Sequence, residues 1–158
     1  MDEPRWLDAE EMRLWDRFLA AGALVDRAVD QHLKTEGLSH TQYEVLVRLS
    51  AEPGGAMRMT DLAAALYTSK SGLTYQVGKL EDAGLVRRVD DDTDVRGVNA
   101  VLTEAGRTRL VEVAPHHVAL VRRVFLDVLD PTQRAAITAG LSAVADRLTD
   151  RPDADLDR

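Results

Sequence analysis

Residues 69–80, SKSGLTYQVGKL, limit the possible folds more than any other stretch, because they describe a helix with very little apolar surface. Leu73, Val77 and Leu80 fall at i, i+4 and i+7 and make one narrow stripe. The remaining positions are small or polar, and Gly72 and Gly78 each cost about 1 kcal/mol relative to alanine in a helix interior. Thr68 or Ser69 is the expected N-cap, and the helix is expected to run to Ala83. Gly84 then supplies a left-handed stop, with Leu85 as the hydrophobic contact after it. Beyond it the period changes. LVRRV and GVNAVL have the β-branched content of two strands, joined by an acidic turn at 90–95. Ahead of the polar helix lie a short extended piece, Met57–Met59, and a compact helix through Ala63 and Leu66 for which Thr60 is the expected cap. Strand, helix, turn, helix and hairpin over 57–102 make a winged helix-turn-helix.

The flanks are longer and more apolar. Residues 8–34 carry Leu14, Phe18, Ala21, Val25 and Ala28 at alternating steps of four and three, with Trp15, Leu19, Gly22, Val29 and Leu33 beside them. That pattern predicts a long helix with two buried faces, ended by Gly37. SHTQ at 39–42 reads as a capping box with Ser39 at the N-cap and Gln42 three residues on. The helix it opens stops at Pro53-Gly54-Gly55. Residues 104–128 return to helical period, with Pro115 expected to weaken the helix locally. DPTQ at 130–133 starts a last helix carrying Ile137, Leu141, Val144 and Leu148. The fold class expected is mainly α with a small β-hairpin wing. An N-terminal dimerisation helix (1–36) precedes the winged helix-turn-helix domain (37–103), and C-terminal dimerisation helices (104–150) and a disordered tail (151–158) follow. Apolar faces in excess of what the centre can cover are most simply buried by a second copy, giving a twofold homodimer.

Composition narrows the function. Cysteine is absent, which excludes disulfides, thiolate catalysis and cysteine-ligated zinc. No run of about 18 uncharged apolar residues exists to span a membrane. The N-terminal MDEPRWLDAEEMR lacks the basic start and apolar run of a secretory signal, so a cytoplasmic protein is expected. The chain carries a net charge of −7, yet Arg58–Arg109 holds eight basic and eight acidic residues, so the whole excess lies in the flanks. A neutral centre between acidic flanks permits nucleic-acid binding there without establishing it.

The weak helix makes sense in a groove. The second helix of a helix-turn-helix enters the DNA major groove, about 12 Å wide, with its N-terminal residues at the base edges. It needs one stripe gripping its own domain and slim, hydrogen-bonding faces elsewhere. Ser69, Lys70, Ser71, Thr74, Tyr75, Gln76 and Lys79 supply those faces, and Gly72 lets the backbone approach. The helix N-terminus favours a phosphate near Ser69–Ser71.

TSKSGLTYQVGKLEDAGLVRR followed by DDTDVRGVNAVLT resembles the MarR family of dimeric winged-helix transcription regulators. Asp94, Arg96, Leu102 and Thr103 match that family's wing pattern, D-x-R followed by a strand ending Leu-Thr. The resemblance runs from the first long helix to the last and implies binding to double-stranded DNA. It implies that Arg96 reaches the minor groove with Asp94 orienting its guanidinium, consistent with the concentrated negative potential there. Many relatives have arginine where this chain has Tyr75, so an operator sequence does not carry over. The acidic run Asp90–Asp92 should repel phosphates, so the wing tip, and not the strand bases, is expected to touch DNA.

The resemblance also implies a small phenolic or aromatic effector, for which Trp15, His40, Tyr43 and His116 are the candidate lining; for Trp15 and Tyr43 core packing competes. His117, on the apolar stripe of its helix, reads as a core or interface histidine. His32, Glu36 and His40 near His116 and His117 raise the alternative of a zinc-responsive regulator. Only His32 and Glu36 share an i, i+4 face, so no metal site and no cofactor are expected. There is no nucleotide-binding glycine loop, G-x-S-x-G or H-E-x-x-H, and no enzyme is expected. The function expected is that of a homodimeric, sequence-specific repressor on a near-palindromic operator, relieved by a small ligand. A winged-helix protein-interaction module is the alternative.

Overall fold

The computed structural model describes residues 4–91 and 94–149, the side chains at 94–96 excepted. Contacts divide the chain into two compact units that meet at residues 120 and 121.

In the first unit, α1 (Ala9–Thr35) starts from Asp8, whose carboxylate accepts from the amides of Glu10 and Glu11 while Glu11 returns a bond to the Asp8 amide. The reciprocal arrangement satisfies donors that a helix start otherwise leaves open. Only the far end of α1 is buried, through Val29 and Leu33. Met12, Leu14, Trp15, Phe18, Leu19 and Leu24 remain exposed. Helix α2 (His40–Ala51) has the expected Ser39/Gln42 capping box and buries Tyr43, Val45, Leu46 and Leu49. Pro53–Gly55 form a tight 3-10 turn in which Gly54 and Gly55 both take positive φ.

The extended piece becomes a third strand. β1 (Ala56–Arg58) pairs antiparallel with β3 (Asp94–Leu102), which pairs antiparallel with β2 (Val86–Asp91), giving the order β1-β3-β2. The acidic segment read as a turn from 90 to 95 is largely strand: Asp90 is opposite Val98 and Asp91 opposite Asp94, with a bulge between Asp90 and Asp91. Asp92 and Thr93 lie outside the described residues. Pairing with β3 offsets the poor strand propensity of aspartate.

Between β1 and the hairpin stand α3 (Met59–Ala65) and α4 (Lys70–Asp82). Thr60 does not cap α3. The strand runs directly into the helix, Arg58 occupies the N-cap position but its side chain does not cap the helix, and Thr60 falls inside the first turn. Tyr67, at φ 50, makes the left-handed bend between the two helices. Ser69 caps α4, and Gly84, at φ 72, ends it; the Leu85 amide reaches back to the Leu80 carbonyl. Leu46, Leu49, Leu62, Leu73, Val77, Leu80, Val86 and Leu102 form the core beneath these elements.

Helix α5 (Glu104–Val121) continues through Pro115 and buries Val113 and Leu120. Its period does not run on to 128 as α-helix, because Arg122–Leu126 widens into a π turn. In the second unit α6 (Pro131–Thr149) has the expected start, with Asp130 and Gln133 each accepting from the other's amide. Taken by itself, α6 exposes Leu141, Val144 and Leu148. The tail expected to be disordered lies outside the described residues.

Candidate nucleic-acid interface

Helix α4 grips the domain through Leu73, Val77 and Leu80, all buried, and turns Ser69, Lys70, Ser71, Thr74, Tyr75 and Lys79 outward. Its first turn is closed from within. Ser69 Oγ accepts from the Gly72 amide at 3.1 Å and sits 3.4 Å from Ser71 Oγ, while Thr74 Oγ1 donates to the Lys70 carbonyl at 2.8 Å. A Cβ on Gly72 would lie 3.0 Å from Ser69 Oγ and 3.4 Å from Thr68 Oγ1. The glycine therefore makes room for the capping hydroxyl, a local reason that the sequence pattern did not suggest. Tyr75 is 63% exposed, and Lys79 Nζ stands 5.5 Å from its ring centroid, within cation–π range.

Gln76 is only half exposed. Its Oε1 accepts from Ser39 Oγ at 3.2 Å, which ties the middle of α4 to the N-cap of α2. Among the described residues it is, of the helix positions singled out in the sequence, the one hydrogen-bonded to the cap of another helix.

Among the described residues two ion pairs fasten the wing. Glu81, at the end of α4, accepts from Arg88 of β2 three times: from Nη2 at 2.6 Å, from Nε at 2.9 Å and from the backbone amide at 3.0 Å. These bonds hold the Glu81 carboxyl below the usual carboxylate range, the backbone bond first and then the guanidinium. Arg58 Nε donates to Asp91 Oδ2 at 2.8 Å, crossing from β1 to β2. Arg58, Thr60, Lys70, Thr74, Arg88 and Gly97 line a groove of about 340 Å³ between the first turns of α4 and the sheet. Asp94 and Arg96 continue the backbone of β3; their side chains lie outside the described part.

Sequence reasoning missed the Glu81–Arg88 and Arg58–Asp91 pairs. The first carried a usable signal, an acid in a helix's last turn and an arginine shortly after its glycine stop. The second depends on strand register, which the sequence did not give.

A search of known families and structures places this geometry. The MarR family model matches residues 36–97. AbsC of Streptomyces coelicolor, a MarR family transcriptional regulator, is 41% identical over 94% of this chain and 100% of its own, with a TM-score of 0.89. The chain belongs to the MarR family. Sco3205, another MarR family regulator from Streptomyces coelicolor, crystallised in complex with DNA, is 38% identical over 99% of this chain and 98% of its own, with a TM-score of 0.92. PecS of Dickeya dadantii, an HTH-type transcriptional regulator, is 31% identical over 79% of this chain and 74% of its own. This MarR-family chain is a DNA-binding transcriptional regulator, not an enzyme. Among its described residues no helix is long and apolar enough to cross a membrane.

The candidate effector residues of this MarR-family chain meet different neighbours among the described residues. Trp15 is half exposed and stacks on Phe18 at 5.9 Å. His40 lines a groove of about 340 Å³ with Glu44, Arg48, Leu66 and Tyr67, which includes none of Trp15, Tyr43 or His116. Tyr43 is buried, its ring centroid 4.3 Å from that of His117. His117 is half-buried and 6.5 Å from His32, and buried nitrogens of both, His117 Nδ1 and His32 Nε2, lack hydrogen-bond partners among the described residues. Desolvation lowers the His117 pKa, with the neighbouring His40 and His32 adding to the effect against the pull of Glu44. Burial raises that of Tyr43, with Glu44 adding. The other histidines serve separate carboxylates: His116 stands 3.2 Å from Glu36, and His40 lies 3.2 Å from Asp26 and 3.9 Å from Glu44. Among the described residues no group of three or more acids and histidines is placed to hold a metal ion.

Proposed function

We propose that this chain is a cytoplasmic homodimeric repressor that reads a near-palindromic operator through α4 and the wing and is released by a small aromatic ligand. One observation carries the DNA-reading part. Helix α4 commits three apolar residues to its own core and presents an unbroken polar face of Ser69, Lys70, Ser71, Thr74 and Tyr75. That is the division of labour a groove-entering helix requires. Arg96 at the wing, with Asp94 beside it in sequence, takes the minor-groove role that the family resemblance implies. The homodimer is supported by the exposed Met12, Leu14, Trp15, Phe18, Leu19 and Leu24 of α1, an apolar surface of the kind that marks protein interfaces. The DNA complex of Sco3205, 38% identical over nearly the whole chain, supports the partner.

Selection from random duplexes tests the reading. The expected product is an inverted repeat with half-site centres about one helical turn apart, bound by a species that sediments as two chains. Lys70→Ala and Arg96→Ala should each weaken binding. Repeating the selection with aromatic acids present identifies an effector as the compound that empties the enriched site. No enrichment at physiological salt, or a strictly monomeric chain, would overturn the proposal and leave the interaction-module reading.

A further inference from the structure

We propose that Arg58 and Arg88 are positioning residues, Arg88 bracing the wing against the recognition helix through Glu81 and Arg58 bracing it against β1 through Asp91, and that neither spends its charge on DNA phosphate. The inference rests on the DNA-reading role of α4 and the wing. Both arginines line the groove beside Lys70 and Thr74, where a count of charges would enlist them as phosphate ligands. Their guanidinium groups are already committed. Arg88 directs two nitrogens at one oxygen of Glu81 while its backbone amide takes the other oxygen. That fork spans the Gly84 turn and fixes the base of β2 to the end of α4. Arg58 reaches over the central strand to Asp91, which stands where the ladder bulges toward the tip. The Asp91 side chain is 11% exposed and ion-paired to Arg58, so its charge is largely covered and offset. One brace holds the wing's base to the recognition helix and the other its outer strand to β1. Together they fix the distance between major-groove and minor-groove elements. Each guanidinium also offsets a carboxylate that would otherwise repel phosphate.

Near-isosteric acid-to-amide variants separate the two roles by the sign of their effect. Asp91→Asn and Glu81→Gln each remove a negative charge from the surface beside DNA. If the arginines are phosphate ligands, freeing them tightens binding. If they are braces, affinity for the selected duplex falls, roughly two- to fivefold on the scale of a partly exposed ion pair. The log–log salt slope is then unchanged, because no phosphate contact has been lost. Rescue supplies a second readout: Arg58→Asp combined with Asp91→Arg should recover affinity that Arg58→Asp alone loses. Assays run well below each variant's melting temperature, so a modest loss of stability does not enter. Unchanged or tighter binding by an amide variant overturns the brace it tests, as does a slope that drops by about one unit in Arg58→Gln or Arg88→Gln. If wild-type protein bound no duplex in a salt-dependent way, the DNA-reading role would fail instead, and the two failures are told apart by that control.

Discussion

Replacing Gly106 with alanine probes the joint on which the wing, the recognition helix and α5 converge. Gly106 lies in the first turn of α5, its amide bound by Thr103 Oγ1 at 3.0 Å, and that hydroxyl donates to the Gly84 carbonyl at 2.7 Å. The Thr103 amide in turn donates to the Leu85 carbonyl at 3.1 Å. A Cβ at Gly106 would stand 2.1 Å from that Leu85 oxygen and 2.7 Å from Leu102 Cδ1. Leu102 is buried and has little freedom to swing away. An ordinary carbon–oxygen contact needs about 1 Å more, and carbonyl movement on that scale breaks the Thr103–Leu85 bond. Forced overpacking costs about 1–3 kcal/mol and the lost hydrogen bond about 1 kcal/mol. The better helix propensity of alanine returns less than about 1 kcal/mol. A net loss of about 1–3 kcal/mol lowers the melting temperature by roughly 3–10 °C for a chain of this length. Circular dichroism melts at one fixed protein concentration measure it, since dimerisation would make the midpoint concentration-dependent. Gly78→Ala is the control: its Cβ would meet nothing within 4 Å, so it should melt at or above wild type. A Gly106→Ala protein as stable as wild type would refute the steric argument.

Ser69 and His117 give further outcomes. Ser69→Ala removes the cap of α4 and should cost about 1 kcal/mol, read in a urea midpoint and in faster amide exchange at Gly72. Ser69→Asp should keep the cap but place a charge against phosphate, so stability is retained while DNA affinity drops; equal affinity for Ser69→Asp and wild type would place that turn away from DNA. The folded-state pKa of His117 is lowered below its unfolded value, chiefly by desolvation. The unfolded chain therefore binds the proton more readily, and the stability this group contributes is present above about pH 6.5, the unfolded value, and lost as pH falls through the folded one. His117→Phe, which keeps a ring against Tyr43 without the titration, should flatten the decline in melting temperature below pH 6.5; an identical acid limb in both proteins would rule the histidine out.

The order of elements was legible because several helices announce their starts. Ser39, Ser69 and Asp130 cap as local chemistry predicts, and the Gly84 stop holds. Two features escaped because they are set by pairing at a distance. Thr60 has the chemistry of a cap, yet β1 passes straight into α3 because Arg58 is registered opposite Asn99. Asp90 and Asp91 have the chemistry of a turn, yet both sit in the ladder with β3. Composition and period describe what a residue prefers in isolation; strand register decides against the preference when enough partners agree.

The same distinction runs through the site. The outward face of α4 could be read from the sequence because helical period fixes which residues share a side, and Leu73, Val77 and Leu80 are indeed the buried ones. What each outward residue does was less legible. Gly72 suits close approach of a duplex, and the structure adds a hydroxyl that a methyl group would crowd. Gln76 belongs by period with the outward polar face, and its carbonyl oxygen accepts from Ser39 at the cap of α2. The acidic run beside the wing is by charge alone repulsive to phosphate, and Asp91 is paired with Arg58 of the opposite edge strand. In each case the sequence supplies the chemical group, and only the fold says which neighbour has already claimed it. Net charge fails as a guide to DNA binding here for that reason: at short range a duplex meets the cations and carboxylates left uncommitted, and the pairing that commits Glu81 to Arg88 and Asp91 to Arg58 leaves no trace in the sum.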